Sequence, residues 1–238
     1  MTTNILVTGS SRGIGRAIVE RFQSDDVRVV GHRSSAAEGD DSIVADLSQA
    51  DAPARLWQAA LDRLDGRIDV LINNAGIFEA AALEAPDAAW SDAWARTMQI
   101  NLTASAELCR RAVLHFQRGG NGGRIVNVAS RAAYRGDSPA HWHYAASKGG
   151  MVSMTKTIAR GYARDNILAF AICPGFTMTG MADDYLESRG GDKLLADIPL
   201  GRVADPAEVA EIARFAALQA PASMTGAVLD VNGASYVR

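Results

Sequence analysis

Tyr144 and Lys148 lie four residues apart in a stretch rich in small residues, HYAASKGG, which predicts a helix. Residues four apart face the same side of a helix, so the phenol and the ammonium would be neighbours. A nearby positive charge stabilises phenolate and lowers the tyrosine pKa from its usual value of about 10. Such a tyrosine could donate or accept a proton near neutral pH. On spacing alone, a surface pair with the ring packed on the lysine stem is the commoner arrangement.

A glycine-rich turn near the amino terminus indicates a second kind of chemistry. The stretch ILVTGSSRGIGRAI places Gly9, Gly13 and Gly15 between a predicted strand and a predicted helix. Glycine allows a tight turn and a close approach to a ligand, and a helix start offers free N–H groups to a pyrophosphate. Such glycines also occur in ordinary tight turns, but the strand–turn–helix context favours a dinucleotide site. The other candidate contacts in this turn are Ser11, Arg12 and Ile14.

The end of the second predicted strand indicates which dinucleotide would bind. A cofactor without a 2′-phosphate usually meets a carboxylate there, which accepts a hydrogen bond from the ribose. This chain instead has Arg33 followed by Ser34, together with Arg12 in the glycine turn. Guanidinium groups pair well with phosphate, so these residues predict a preference for NADP(H) over NAD(H). Exposed arginines that only increase solubility are the alternative.

Predicted strands and helices alternate along the chain, as in a doubly wound α/β fold with a parallel sheet and helices on both faces. The strands are predicted at about 4–8, 27–31, 42–45, 68–72, 124–129, 167–173 and 227–231. The helices are predicted at about 15–23, 53–64, 90–117, 139–163 and 206–217. No linker or repeat interrupts this alternation, which favours one domain over residues 1–238. The long polar insertion at 177–200 predicts a lid over the substrate, with a solvated loop as the alternative.

Composition limits the possible classes of function. The formal net charge is −3, and no cluster of Lys and Arg predicts a nucleic-acid surface. No apolar run reaches the length of a membrane span, and no signal peptide precedes the first predicted strand. Cys109 and Cys173 lie in apolar contexts that predict buried free thiols and a cytoplasmic protein. No group of His, Cys and acidic residues has metal-ligand spacing, so we expect no catalytic metal.

Together these motifs resemble the short-chain dehydrogenase/reductase family, in particular its 3-oxoacyl reductase and small carbonyl reductase branch. The further matching motifs are Asp46-Leu47, Asn73-Asn74-Ala75-Gly76, Asn101, IVNVAS ending at Ser130, Pro174-Gly175 and TGAVLDVNGA. The similarity runs from Ile5 to Gly233. It implies a single-domain Rossmann fold with seven parallel strands, and hydride transfer between a carbonyl and a secondary alcohol. The family is most often tetrameric, so the resemblance also implies a homotetramer.

The resemblance also implies roles for individual residues. The catalytic tetrad would be Asn101, Ser130, Tyr144 and Lys148, with Tyr144 as the general acid or base. Ser130 would contact the substrate oxygen, Lys148 would also hold the nicotinamide ribose, and Asn101 would position a water that relays protons to Lys148. Further cofactor contacts would be Asp46, Leu47, Asn74, Ala75, Gly76, Pro174, Gly175, Thr177 and Thr179.

Two features depart from the family pattern. Ser130 precedes Tyr144 by fourteen residues where the family commonly has thirteen, and Ser138 is another serine nearby. Ser138 is too close to Tyr144 to end a strand, so Ser130 remains the candidate. Phe170 stands where the family usually has asparagine, and the sequence offers no functional reason for it.

The sequence leaves two substrate classes open. One branch of the family reduces 3-oxoacyl groups on acyl carrier protein and can use arginines to grip the acidic carrier. Asn121 and Asp165 occupy those positions here, although Arg131 and Arg135 could substitute. A free ketone, sugar, diol or aromatic alcohol is therefore favoured over a carrier-bound group. The candidate substrate contacts are Arg131, His141, Trp142, His143 and Tyr185. A non-catalytic cofactor-binding protein is a further alternative, which the complete tetrad disfavours.

Overall fold

The computed structural model describes residues 2–23, 26–178 and 195–238, which form one parallel sheet of seven strands with helices on both faces. The spatial order is β3-β2-β1-β4-β5-β6-β7. The strands are β1 (Thr3–Val7), β2 (Val27–Arg33), β3 (Ile43–Val44), β4 (Val70–Asn73), β5 (Gly123–Val128), β6 (Ile167–Pro174) and β7 (Val228–Val231). This order confirms the predicted α/β fold. The chain adds β2 and β3 on one side of β1 and then β4 to β7 on its other side, so the strand order reverses between β1 and β4. Open α/β sheets bind ligands at the carboxyl ends of the strands beside such a reversal.

The helices follow the predicted alternation, with π-helical turns at Gln99–Thr103 and at Phe215–Gln219, the second at the end of the helix predicted over 206–217. They are α1 (Gly13–Phe22), α2 (Ala52–Arg63), α3 (Asp87–Met98), α4 (Ala104–Gly119), α5 (Ala132–Arg135), α6 (Trp142–Tyr162) and α7 (Pro206–Arg214). The helix predicted over 90–117 is divided by a π-helical turn, Gln99–Thr103, which separates α3 from α4. Within the described parts of the chain, no helix is both long and apolar enough to cross a membrane.

Helix α7 begins where the sequence predicts, because its first turn is capped. The Asp205 carboxylate accepts a hydrogen bond from the Ala207 N–H at 2.8 Å. The Glu208 carboxylate accepts one from the Asp205 N–H, also at 2.8 Å. This capping box satisfies N–H groups that the helix itself leaves unpaired, so it fixes the start of α7.

Each face of the sheet has its own hydrophobic core, because alternate residues of a strand point to opposite faces. Leu6 and Ile125 pack on the side of α2, α4 and α6. Ile5 and Val126 pack on the side of α1 and α7. Phe170 lies fully buried in this second core. Burial of such a side chain stabilises the fold by about 1.5–3 kcal/mol. Packing therefore explains why Phe170 stands where the family usually has asparagine.

Candidate active site

A large cavity opens at the carboxyl edge of the sheet, and three of the four predicted catalytic residues, Ser130, Tyr144 and Lys148, line it. The fourth, Asn101, is fully buried and is not among the described residues of the lining. Thr179 lies outside the described residues. All the other predicted cofactor contacts also line the cavity, namely Gly9, Ser11, Arg12, Gly13, Ile14, Gly15, Arg33, Ser34, Asp46, Leu47, Asn74, Ala75, Gly76, Pro174, Gly175 and Thr177. Motifs that are far apart in the sequence therefore meet at one place.

The glycine turn presents backbone rather than side chains to the cavity. Gly9 has a φ of +66°, in the left-handed region, and a Cβ at this position would lie 2.7 Å from Ala75 Cα. A Cβ on Gly15 would lie 2.1 Å from the Gly9 carbonyl oxygen and 2.4 Å from Asn74 Nδ2. Helix α1 begins at Gly13, and the first N–H groups of a helix have no partner within it. The turn thus fits the close backbone approach that a dinucleotide pyrophosphate requires.

Thr8 and Asn74 join the ends of β1 and β4 at the base of the cavity. The Thr8 hydroxyl oxygen accepts hydrogen bonds from the N–H groups of Asn74 and Ala75, both at 3.0 Å. The Asn74 side-chain amide donates to the carbonyl oxygens of Thr8 and Gly9, both at 3.0 Å. These bonds hold the segment from Asn74 to Gly76 against the glycine turn, so that both face the same space.

His32 is a buried support of the glycine turn that the motifs did not reveal. Its Nδ1 accepts the Gly9 N–H at 3.0 Å, and its Nε2 lies 2.8 Å from the Ala45 carbonyl oxygen. Because Nδ1 accepts a hydrogen bond, Nε2 carries the proton and donates it to Ala45. Burial lowers the pKa of His32, which favours the same neutral form. The only signal in the sequence was a histidine directly after the second predicted strand.

Arg33 lines the end of the cavity beside β2, which we call the adenosine end, and it carries an ion pair there. Its Nη1 lies 2.5 Å from Oδ2 of Asp40, in the loop between β2 and β3. The Arg33 side chain is 15% exposed and the Asp40 side chain 32%. Arg12 lines the same cavity and is exposed. The adenosine end therefore has the two predicted guanidinium groups and, next to Arg33, a carboxylate that the sequence analysis did not include.

Tyr144, on α6, lies beside Ser130, which follows the end of β5. Burial raises the pKa of Tyr144 to about 12, and the neighbouring Ser130 hydroxyl opposes part of that rise. This outcome differs from the lowering expected from Lys148. The Lys148 Nζ lies 5.8 Å from the centroid of the Tyr144 ring and donates to the Val128 carbonyl oxygen at 2.9 Å. Tyr144 is therefore a neutral phenol, a proton donor, at neutral pH.

The serine that most closely precedes Tyr144 in the sequence, Ser138, belongs to a different contact. The Ser138 hydroxyl lies 2.6 Å from Nδ1 of His141. Ser130 is the serine beside the Tyr144 hydroxyl, although it is one residue farther away in the sequence than the family commonly has. The segment between Ser130 and Tyr144 includes the short helix α5.

Lys148 and Asn101 are both buried beside Gly76. A Cβ on Gly76 would lie 3.3 Å from Oδ1 of Asn101 and 3.5 Å from Nζ of Lys148. Burial lowers the pKa of Lys148 to about 8. Asn101 lies in the π-helical turn, a feature that is frequent at functional sites. Its side chain accepts the Ile77 N–H at 2.8 Å, and donates to the Ile77 carbonyl oxygen at 3.0 Å and to the Ser147 hydroxyl at 3.2 Å.

Three further side chains, Phe78, Arg131 and Phe176, line the cavity on the side of Tyr144. The Phe78 ring lies edge-on to the Tyr144 ring, with centroids 4.8 Å apart. The Arg131 guanidinium lies 4.7 Å from the centroid of Phe176, and its Nη1 is 3.4 Å from Oδ2 of Asp197. Arg131 was predicted, whereas the two phenylalanines were not, because single aromatic residues in loops belong to no motif.

Of the other predicted substrate contacts, those within the described residues do not line the cavity. His141 stacks on Phe78 with ring centroids 3.9 Å apart, so it supports the aromatic wall from behind. Trp142 is 53% exposed and lies edge-on to Trp90 on α3. Among the described residues, the lining of the cavity includes neither His141 nor Trp142, nor the buried His143. Tyr185 and most of the insertion at 177–200 lie outside the described residues.

The described residues contain no group of three or more His, Cys, Asp or Glu side chains that could hold a metal ion. Cys109 and Cys173 are buried free thiols, as predicted. Burial raises the pKa of Cys109 to about 12 and that of Cys173 to about 11. Both thiols are therefore protonated at neutral pH and poorly reactive, since the thiolate is the nucleophile.

Residues 9–234 match the model of a protein family described as enoyl-(acyl carrier protein) reductase. A 3-oxoacyl-[acyl-carrier-protein] reductase of Synechocystis sp. is 33% identical over 243 residues, which cover 96% of this chain and 94% of that protein. Glucose 1-dehydrogenase 2 of Bacillus subtilis is 31% identical over 242 residues, which cover 96% of this chain and 92% of that protein. Nearly the whole chain is therefore similar to oxidoreductases.

A solved structure is also similar over the whole chain. The ligand-free aldohexose dehydrogenase of Thermoplasma acidophilum superposes with a TM-score of 0.87, and 28% of the aligned residues are identical. The match covers 100% of this chain and 95% of that chain. The similar proteins thus include, by name, a reductase of carrier-bound oxoacyl groups and dehydrogenases of sugars.

Proposed function

Because this chain belongs to the short-chain dehydrogenase/reductase family, and is thus an oxidoreductase that interconverts a carbonyl and an alcohol, we propose that it acts on a free small molecule with NADP(H). One observation carries the proposal. Ser130, Tyr144 and the buried Lys148 line the same cavity as the glycine turn. Hydroxyl groups that can hold a carbonyl oxygen therefore share a space with backbone suited to a dinucleotide.

The protein would supply the proton at the substrate oxygen. A bound nicotinamide cofactor supplies or accepts the hydride at carbon. Tyr144 would donate its hydroxyl proton to the carbonyl oxygen in reduction and take a proton back in oxidation. Ser130 would donate a hydrogen bond to the same oxygen and stabilise the negative charge that develops there. Burial keeps Tyr144 protonated, which suits the reductive direction.

Lys148 and Asn101 would restore the proton to Tyr144. Burial lowers the pKa of Lys148 to about 8, so the ammonium can release a proton more readily than an exposed lysine, whose pKa is about 10.4. Asn101 is fixed next to it by hydrogen bonds to Ile77 and Ser147. We assign Asn101 the positioning of a relay water, and Lys148 the contact with the nicotinamide ribose.

The preference for NADP(H) is supported by Arg33 and Arg12. Both line the cavity, and a guanidinium binds phosphate through paired hydrogen bonds. The ion pair with Asp40 engages Nη1 of Arg33. A guanidinium has five N–H donors, so this contact weakens the attraction for a 2′-phosphate without removing it.

A free small molecule is supported by the surface chemistry of two loops and by the aromatic wall. Asn121 precedes β5, and Asp165, which precedes β6, accepts a hydrogen bond from Gln117 at 2.7 Å. Neither residue offers a positive charge to an acidic carrier protein. Phe78 and Phe176 give an apolar surface beside Tyr144, which suits a compact carbon skeleton. Reduction of carrier-bound 3-oxoacyl groups is the second candidate, because a similar protein carries that name.

We also propose a homotetramer in the cytoplasm. Leu114 on α4 is 41% exposed and Val237 near the carboxyl terminus is 75% exposed, and contacts between copies would cover such apolar surface. Light scattering should then give about four times the chain mass of 25.2 kDa, whereas a stable monomer would contradict the proposal. The two buried free thiols suit a reducing compartment.

A panel of substrates followed by NADPH absorbance tests the proposed function. The panel should contain ketones, aldehydes, aldoses and 3-oxoacyl thioesters, with alcohols and NADP⁺ for the reverse direction. Turnover of a free carbonyl compound or alcohol supports the proposal, and turnover of thioesters alone would support the carrier-protein reaction instead. NADPH binding without turnover in either direction would contradict both and favour a non-catalytic cofactor-binding protein.

A further inference from the structure

Asp40 is held in a defined position beside Arg33. It follows Arg33 by seven residues, and its Oδ2 lies 2.5 Å from the Arg33 Nη1. Its other oxygen, Oδ1, accepts the Ser42 N–H at 2.8 Å. Hydrogen bonds from Ser42, together with the charge of Arg33, lower the pKa of Asp40. The carboxylate is therefore oriented from two sides and ionised at neutral pH.

The backbone and the side chain of Arg33 are also held in place. Its carbonyl oxygen accepts the Ala45 N–H at 2.9 Å, so the backbone is fixed by the pairing of β2 with β3. Its side chain is only 15% exposed, and its Nε is buried without a hydrogen-bond partner. An ion pair of which one member is largely shielded from water is screened less than a surface pair. Asp40 therefore offsets part of the positive charge that Arg33 brings to the cavity.

We propose that Asp40 sets the cofactor selectivity of this chain by competing with a 2′-phosphate for Arg33. The inference rests on the proposed NADP(H) function. The phosphate and the carboxylate are both anions that would pair with the same guanidinium, and each repels the other. A ribose without the phosphate has no need to displace Asp40. The chain should therefore bind both forms of the cofactor, with a smaller preference for the phosphorylated form than its two arginines would otherwise give.

Calorimetric titration with two small probes tests this competition without substrate or turnover. Adenosine 2′,5′-bisphosphate and 5′-AMP differ only in the 2′-phosphate. Asp40→Asn removes the negative charge but keeps an Oδ1 that can accept the Ser42 N–H, so the loop should retain its conformation. We expect the variant to bind the bisphosphate about fivefold to tenfold more tightly than the wild type. Its affinity for 5′-AMP should change by less than about twofold.

Asp41→Asn is the matched control. It makes the same change of charge one residue away, but Asp41 is fully exposed and pairs with Arg63 at 3.2 Å instead of Arg33. Neither affinity should change by more than about twofold in this variant. Arg33→Gln should weaken the bisphosphate about tenfold or more, and in the double variant Asp40→Asn should no longer strengthen binding. Thermal unfolding of each variant checks that the fold is retained.

The outcomes separate this inference from the proposed function. An unchanged ratio of the two affinities in Asp40→Asn, together with the loss in Arg33→Gln, would overturn the role of Asp40 and leave the cofactor proposal intact. Equal gains in Asp40→Asn and Asp41→Asn would also overturn it, since they would indicate a general effect of net charge. If the wild type binds neither probe, the cofactor proposal fails and this inference fails with it.

Discussion

The two halves of the cavity are built from different parts of the polypeptide. In the cofactor half, which contains the glycine turn and the segment from Asn74 to Gly76, main-chain groups come close together because Gly9 and Gly15 have no Cβ. In the substrate half, which contains Phe78, Arg131 and Phe176, side chains form the walls. A ligand shared by a whole family can be held by backbone and leaves a motif. A ligand particular to one chain is held by side chains that follow no spacing rule.

The largest effect on cofactor affinity should come from filling the backbone cradle of the cofactor half. In Gly15→Ala the new Cβ would lie 2.1 Å from the Gly9 carbonyl oxygen, so backbone must move. We expect NADPH affinity, measured by fluorescence titration, to fall by at least about 100-fold, because the pyrophosphate needs this close approach.

Gly161→Ala is the control for that substitution. Gly161 lies within α6, and nothing within 4 Å would meet a Cβ there. The variant should bind NADPH normally and gain up to about 1 kcal/mol in unfolding free energy, because alanine favours helix more than glycine does. Normal NADPH binding by Gly15→Ala would refute the distinction between the two halves.

The substrate half should respond to Phe78 and not to Trp142. Phe78→Leu removes the ring that lies edge-on to Tyr144, and we expect the KM for the substrate found in the panel to rise about threefold to tenfold. The KM for NADPH should stay the same. Trp142→Leu is the matched control, since Trp142 lies beside Trp90 instead of in the cavity wall. An equal rise in both variants would restore the substrate contact that the sequence predicted for Trp142.

The smallest effect should be a pH dependence of the cofactor half through His32. Burial lowers its pKa, so below about pH 6.5 the unfolded chain binds a proton that the folded chain does not. The contribution of His32 to stability should therefore be constant above this pH and fall as the pH drops, by at most about 1.4 kcal/mol per pH unit for one proton. Urea unfolding at several pH values measures the slope.

His32→Gln should flatten that dependence, because a neutral amide can still accept from Gly9 and donate to Ala45. His115 is the matched histidine, since burial lowers its pKa as well, and it lies outside the cavity lining. His115→Gln should remove only its own part of the slope and leave NADPH affinity unchanged. Stability that increases as the pH falls below 6.5 would contradict the neutral state of His32.

The positions of the strands and of the glycine turn could be predicted from the sequence, because both depend on local patterns. Short apolar runs between helical patterns predicted the position of every strand of the described sheet. The spacing of the glycines predicted the position of the glycine turn. The π-helical interruption at Gln99–Thr103 was missed, since it changes the backbone without changing the apolar pattern. Phe78 was missed because its contact with Tyr144 forms only where separate segments meet in space. Asp40 was missed because the loop that returns it to Arg33 follows no sequence motif.

The pKa of Tyr144 illustrates the same limit. Spacing on a helix correctly placed Lys148 near Tyr144, but it could not predict that burial outweighs the charge or that the ammonium is directed to the Val128 carbonyl oxygen. Desolvation depends on everything that covers a group, and no short stretch of sequence contains that information.

Tyr144→Phe, measured for NADPH affinity and turnover together, tests whether Tyr144 supplies the proton to the substrate oxygen. Tyr162→Phe is its control, since it removes a hydroxyl from the other end of α6. We predict that Tyr144→Phe binds NADPH within about twofold of the wild type while turnover of the panel substrate falls by about a thousandfold. Tyr162→Phe should alter neither quantity. Turnover that survives in Tyr144→Phe would contradict the assignment of the proton to this residue.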